Sequence, residues 1–193
     1  NNTPLTLLLM CALLVITQSG KNARYWIFFA LCFFAGFLAE VAGVNTGLLF
    51  GDYEYGNVLG YKLWNVPLLI GVNWFVIIFC AGSITQQLNE WILKKMGNDE
   101  KPARIIQQFS FIADAAFLAV FFDWVMEPAA IKLQFWKWLP DGKIPFYNYV
   151  CWFVISAMLL FIFNRFNFNK HNQFAVHLFI MQVLFFTALR LYL

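Results

Sequence analysis

Histidine is nearly absent from this chain: His171 and His177 are the two present in 193 residues. Membrane hydroxylases and desaturases that work with two irons depend on imidazole as their usual nitrogen ligand, so oxygen-dependent di-iron chemistry is excluded. A carboxylate di-iron site would need Glu-x-x-His pairs on helices, and the sequence has none. The loop glycines form neither GxGxxG nor GxxxxGK[ST], which argues against a phosphate cradle. An aspartate-rich motif for holding pyrophosphate through Mg²⁺ is missing as well; Asp114 and Asp123 do not make one. The four cysteines, Cys11, Cys32, Cys80 and Cys151, sit singly in apolar runs, without the paired spacing of a zinc or redox motif. They read as small hydrophobes.

Charge is scarce too. Only 12% of the residues are charged and 62% are hydrophobic, where an ordinary soluble domain has roughly 25% and about 45–50%. The chain is therefore an integral membrane protein. Its net charge of +3 is small and scattered, so nucleic acid is not expected as a partner. What the sequence has in plenty is aromatic surface, 20% of residues and mostly the 24 Phe, suited to lipid contact and to a greasy interior cavity.

Six apolar spans predict an all-α, polytopic transmembrane helix bundle forming a single domain over residues 1–193. The first, Leu5 to Thr17, is short against the roughly 20 residues that cross a bilayer. Because the chain starts at Asn and not Met, it is expected to begin inside a longer sequence. The missing basic n-region argues against a signal peptide. The second span, Tyr25 to Val44, places Gly36, Glu40 and Gly43 on one helical face, so Glu40 is expected to point into the bundle. A Gly-rich loop follows, with Asp52, Tyr53, Glu54 and Tyr55. Pro67 suits the first turn of a third helix reaching about Leu88 and carrying Asn73 and Trp74, and the charged stretch from Asn89 to Arg104 reads as a solvated linker.

The fourth span, about Ile105 to Trp124, carries Asp114 half a turn out of phase with Asp123. It leads into FFDWVMEPAAIKLQFWKW, Phe121 to Trp138, where Asp123 and Glu127 lie four residues apart with Trp124, Trp136 and Trp138 around them. A carboxylate near lipid costs on the order of 3 kcal/mol unless it faces a polar interior, which makes this stretch a functional candidate. Pro128 disfavours helix at Glu127; if the helix ends there, Glu127 turns into the loop. Ala129 to Trp138 suits an interfacial or re-entrant segment. The fifth span, about Tyr149 to Phe163, opens with Asn148 and Trp152 one turn apart, and the sixth runs from about Phe174 to Leu193.

Alternation of the spans puts the loops around Asp52 and after Glu127 on the same side, so Glu40, Asp52, Asp123, Glu127 and Asn148 converge at one mouth. The other side holds eight basic residues, Lys21, Arg24, Lys94, Lys95, Lys101, Arg104, Arg165 and Lys170, against five on the mouth side, Lys62, Lys132, Lys137, Lys143 and Arg190. The positive-inside rule then puts the richer side in the cytoplasm, in a bacterial inner membrane. Chemically, what remains is acid and base work by carboxyl groups in a greasy cavity. Burial disfavours the charged form of a carboxyl group, and a neighbouring carboxylate disfavours it further in one member of a pair. Such an acid can protonate an electron-rich alkene, and aromatic faces can stabilise the cation that results.

The runs GFLAEVAGVNTGLLFGDYEYGNVLGYKLWNVPLLIGVNW, FDWVMEPAAIKLQFWKW and IPFYNYVCW resemble the membrane carotenoid biosynthesis family that includes the carotenoid 1,2-hydratases, γ-carotene 1'-hydroxylase and bisanhydrobacterioruberin hydratase. The resemblance spans about Gly36 to Trp152. It implies a hydro-lyase that adds water, with no cofactor and no metal, to the terminal C1,C2 double bond of an acyclic ψ end group on a carotenoid of the lycopene or γ-carotene type. The motif positions it marks are Glu40, Asp52, Tyr53, Tyr55, Asn73, Trp74, Asp123, Glu127, Asn148 and Trp152. On the residues alone, Asp123 or Glu127 is the expected acid, Glu40 or Asp52 orients water, and Trp74, Trp124, Tyr53 and Trp152 line the cation. Two alternatives stay open: an end-group cyclase or isomerase that begins with the same protonation, and a non-enzymatic carotenoid-binding subunit.

Overall fold

The computed structural model describes residues 2–96, 102–139 and 141–192; Lys101, Leu193 and the 97–101 part of the charged linker, all named above, lie outside them. The helices are α1 (Thr3–Thr17), α2 (Ala23–Thr46), α3 (Leu69–Lys95), α4 (Arg104–Lys132), α5 (Phe146–Arg165) and α6 (Gln173–Tyr192). Four short strands interrupt them: β1 (Tyr53–Tyr55), β2 (Lys62–Leu63), β3 (Val66–Pro67) and β4 (Trp136–Trp138). The five helices α2 to α6 are long and apolar enough to cross a membrane, which makes this an integral membrane helix bundle. At 15 residues, α1 is about 22 Å long, short of a hydrocarbon core of about 30 Å.

The bundle is built on α3. From Leu69 to Ile84 it is almost wholly apolar, and thirteen residues of the helix are buried, among them Trp74, Phe75, Phe79 and Ser83; a helix of that pattern belongs in the middle of its neighbours. Small residues let α2 come close to it. A Cβ on Gly36 would lie 2.2 Å from Cγ of Trp74, and one on Gly71 would lie 2.8 Å from the Phe33 carbonyl oxygen. At the end of the bundle away from the acidic motifs, Tyr25, Phe28, Phe79 and Phe163 pack edge to face, with Tyr25–Phe79 and Phe28–Phe163 centroids 5.8 and 5.3 Å apart. Pairs of this kind are worth about 0.5–1.5 kcal/mol beyond their burial. They fix α2, α3 and α5 against one another at that end.

Several elements differ from the expectation. Pro67 lies in β3 and α3 starts two residues later. At its other end α3 continues to Lys95, seven residues past the expected stop at Leu88 and into the expected linker. The largest correction is α4, which runs straight through Pro128 to Lys132. Proline removes one backbone donor and biases the residue before it away from helix, but the turn beyond it is fully buried at Ala129 and Ala130. Its carbonyls are taken up too, by the amides of Leu133 and Phe135 at 2.8 and 2.9 Å. Packing beyond the proline therefore outweighs the lost bond.

The two loops on the acidic side are not irregular. β1 from the Gly-rich loop pairs antiparallel with β4 from the loop after α4, with Tyr53 opposite Trp138, Glu54 opposite Lys137 and Tyr55 opposite Trp136. The segment expected to lie at the interface, Ala129 to Trp138, is thus the end of α4, a turn and a strand. A glycine makes the pairing possible: the Gly56 amide donates to the Phe135 carbonyl at 2.8 Å, and any Cβ there would sit 2.0 Å from the Gln134 carbonyl oxygen.

Candidate active site

Each carboxylate is delivered by the phase of its own element. Glu40 follows Gly36 by one turn of α2 and is buried. Because Gly36 admits the Trp74 ring, that indole reaches Glu40 and donates to Oε1 at 3.1 Å. In β1 alternate residues face the same way, so Tyr53 and Tyr55 both point inward while Glu54 points out. Their hydroxyls donate to Glu40 Oε2 at 2.5 and 2.8 Å. Burial first, and then the charge of Glu40, push both tyrosine hydroxyls well above their usual range, so they remain O–H donors.

Asp123 and Glu127 share the inner face of α4, since the helix survives to Lys132, and both are 1% exposed. Glu127 is met by β4. Trp136 donates to its Oε1 at 2.8 Å, and Trp138 donates to the same oxygen. Indole is a donor only, so Oε1 is committed as an acceptor and any proton on Glu127 sits on Oε2. Asn148, from the first turn of α5, donates to Asp123 Oδ2 at 2.9 Å. Among the described residues, neither Asp123 Oδ1 nor Glu127 Oε2 takes part in a hydrogen bond. Outside, the ribbon is closed by an exposed Lys137–Glu54 ion pair of 2.7 Å.

Between the three carboxylates lies a chamber of about 30 Å³, lined also by Phe50, Asn73, Met126, Trp74 and Trp152. That is room for one or two waters. Trp74 and Trp152, both in its wall, stack face to face with centroids 4.1 Å apart. Phe50 reaches its wall with φ of 66°, a left-handed conformation that costs on the order of 1–3 kcal/mol in a non-glycine residue. A second, mostly apolar cavity of about 480 Å³ adjoins the chamber and shares Ile70, Asn73, Met126 and Trp136 with it; α1 and α6 form its far walls.

The carotenoid biosynthesis protein family matches residues 2–193. The chain belongs to that family. It is similar to the bisanhydrobacterioruberin hydratase of Haloarcula japonica, 26% identical over 134 residues, which cover 68% of this chain and 41% of that relative. The chain thus spans less than half the length of the relative it matches. No solved structure matches. Family and relative together support a carotenoid-modifying role.

In this carotenoid biosynthesis protein the chamber gathers nine of the expected residues: Glu40, Tyr53, Tyr55, Asn73, Trp74, Asp123, Glu127, Asn148 and Trp152. It leaves out two. Asp52 is exposed, because it precedes the inward Tyr53 by one strand position; its backbone carbonyl accepts from Leu139 at 2.8 Å and extends the ribbon. Trp124, one residue past Asp123, is turned about 100° around the helix. It is 48% exposed, under the Arg190 guanidinium at 4.5 Å. Asp114 is exposed on α4 and bonded by Ser110 at 2.8 Å, as its phase requires. Phe50, Ile70 and Met126 were not expected in the site, and Trp136 and Trp138 were expected near the carboxylates without a place in it. The signal for the tryptophans was present: YEY and WKW are matching aromatic–charge–aromatic triplets of opposite central charge, the pattern of two strands facing one interior.

Proposed function

We propose that this protein is a carotenoid hydratase, adding water without a cofactor across the C1,C2 double bond of an acyclic ψ end group in a bacterial inner membrane. The observation that carries the reading is the pair of free carboxyl oxygens, Asp123 Oδ1 and Glu127 Oε2, beside a chamber that has room for water. Asp123 delivers its proton to C2, the alkene's electron pair forms the new C–H bond, and a tertiary cation develops at C1. The faces of Trp74 and Trp152 stabilise that charge, and Glu40, held by its three donors, opposes it with a fixed negative charge. Water attacks C1 and gives up a proton to Glu127 Oε2. Return of that proton to Asp123 across the chamber completes the cycle with one water added to the end group.

Glu127 suits the accepting role because two indole donors hold its Oε1 in place and leave Oε2 free to take a proton. A cyclase would begin with the same protonation, but it needs a dry wall at C1, and three carboxylates, two tyrosines and two asparagines favour water there. The test is expression in cells that accumulate lycopene or γ-carotene, followed by mass analysis of the pigment. A mass gain of one water per reacted end is the expected result. An unchanged mass with altered absorption assigns a cyclase or isomerase, and an unchanged pigment defeats both enzyme readings for these substrates.

A further inference from the structure

The chamber holds a water or two, and the reacting end of a carotenoid is attached to a long apolar chain. That chain needs a separate seat that opens into the chamber. The β1–β4 ribbon and the Trp74–Trp152 stack supply other walls of the chamber. The larger cavity meets it at Ile70, Asn73, Met126 and Trp136. Its own lining is apolar, with Leu7 on α1, Phe122 on α4 and Leu178 on α6. It also reaches the outer surface of the bundle: Met181 and Phe185 line it and are 64% and 57% exposed. On a membrane-spanning helix that surface meets lipid.

The way α1 is held points to the same use. At its far end it is pinned: Gln18 donates to the Asn169 carbonyl at 2.5 Å, and Asn172 donates to Gln18 Oε1 at 3.0 Å and to the Leu14 carbonyl at 3.3 Å. Beside the cavity, α1 and α6 meet through Gln182, whose Nε2 reaches the Met10 sulfur at 3.4 Å. A thioether is a weak acceptor. The other atom of that amide, Oε1, is buried and unpartnered among the described residues, on a residue 5% exposed. A weak thioether bond and an unpartnered amide oxygen hold α1 to α6 less firmly here than the bonds at the pinned end do.

We propose that the cavity between α1, α4 and α6 seats the polyene chain of the substrate, and that the chain enters sideways from the bilayer between α1 and α6. The choice of a polyene rests on the hydratase reading; the seat and its entrance rest on the wall shared with the chamber, the exposed mouth and the weak α1–α6 contact at Gln182. α1 swings on its pinned end while its contact with α6 at Met10 and Gln182 opens.

The test separates binding from chemistry. Purified protein in lipid nanodiscs is titrated with lycopene, and the circular dichroism that a chiral site induces in the polyene band is read. Leu7→Trp and Leu178→Trp fill the cavity and should each weaken binding about tenfold or more, the scale expected for overpacking. Met158→Trp, on the 60% exposed outer face of α5, should leave it unchanged. In turnover, the filled variants should lose the long substrate and keep a short isoprenoid with the same end group. Phe185→Ala widens the mouth without burdening the core, and should load lycopene from the bilayer faster. Induced dichroism that is absent in the wild type, or unchanged in both filled variants, overturns the proposal. If the filled variants do not fold, the loading rate of Phe185→Ala decides alone, and an unchanged rate overturns it. Binding that follows these expectations with no change of pigment mass leaves the seat standing and removes the hydratase reading.

Discussion

Tyr53 and Trp138 face each other across the β1–β4 ribbon with ring centroids 5.1 Å apart, and each holds a different carboxylate, Tyr53 that of Glu40 and Trp138 that of Glu127. Three backbone pairings between two loops therefore set the spacing of acidic groups carried by α2 and α4. A hydrogen bond to a charged group is worth about 1.5–3 kcal/mol. Trp138→Phe, which keeps the ring and removes the donor, is expected to lower the hydration rate by about tenfold to a hundredfold. Trp136→Phe should act in the same direction. Both donors bind one oxygen, so the double variant should depart from the product of the single effects; rates of pigment conversion per folded protein measure this.

The three carboxylates should separate by role. Asp123→Asn and Glu127→Gln are expected to lower turnover by about a hundredfold to ten-thousandfold, the usual weight of a general acid or base, with folded protein recovered. Glu40→Gln should behave differently. Its amide keeps one acceptor oxygen and sets its NH2 either against the Trp74 indole, a donor only, or against the two tyrosine hydroxyls, of which one must then turn to accept; either way a bond to Glu40 is lost, and a donor left unsatisfied costs about 1–3 kcal/mol. Its main effect is therefore a lower unfolding temperature, with a smaller loss of rate in the protein that stays folded. Equal rate losses in all three variants would count against this division of labour.

Much of this arrangement could be read from residues because it follows from element phase. Gly36 and Glu40 are one helical turn apart on a span that had to pack, and Asp123 and Glu127 are one turn apart if the helix continues. Alternating spans brought both loops to one side. Pro128 misled because local propensity argues for a stop there, whereas the burial of Ala129 and Ala130 is a tertiary fact. Asp52 misled for a subtler reason. It shares a loop with Tyr53 and Tyr55, and only recognition of a strand, with its two-residue period, turns it outward. The pairing of YEY with WKW joins segments about 80 residues apart, a distance over which neither helical phase nor span alternation carries information.

Gly36 is expected to be intolerant of any side chain. A methyl group there would lie 2.2–2.6 Å from three atoms of Trp74, whose indole is stacked on Trp152 and bonded to Glu40. Such a contact is relieved only by parting α2 from α3 or by moving the indole off the carboxylate. Gly36→Ala should therefore cost about 1–3 kcal/mol of stability, the range for overpacking, and the folded remainder should have lost most of its activity. Thermal unfolding and pigment conversion measured on one preparation check both halves. Full activity in a stable Gly36→Ala protein would show that Trp74 is not needed where it stands.

The tyrosines give a dependence on pH whose sign can be worked out. Burial and the charge of Glu40 raise the hydroxyls of Tyr53 and Tyr55 above the ordinary value of 10.0, so the folded state holds both protons after the unfolded chain has begun to lose its own. Below that ordinary value neither state titrates and their contribution to stability is whole. As pH rises beyond it, the unfolded chain releases protons that the folded one keeps, and stability falls, by about 1.4 kcal/mol per pH unit for each tyrosine. Denaturant unfolding followed from pH 8 to about 11 should be level at first and then decline. Tyr53→Phe and Tyr55→Phe will each lower stability throughout, because Glu40 loses a donor, yet each should make the decline shallower by about one tyrosine's share. A slope that the double variant leaves unchanged would mean that other groups carry it, and that the two hydroxyls are less enclosed than their bonds to Glu40 require.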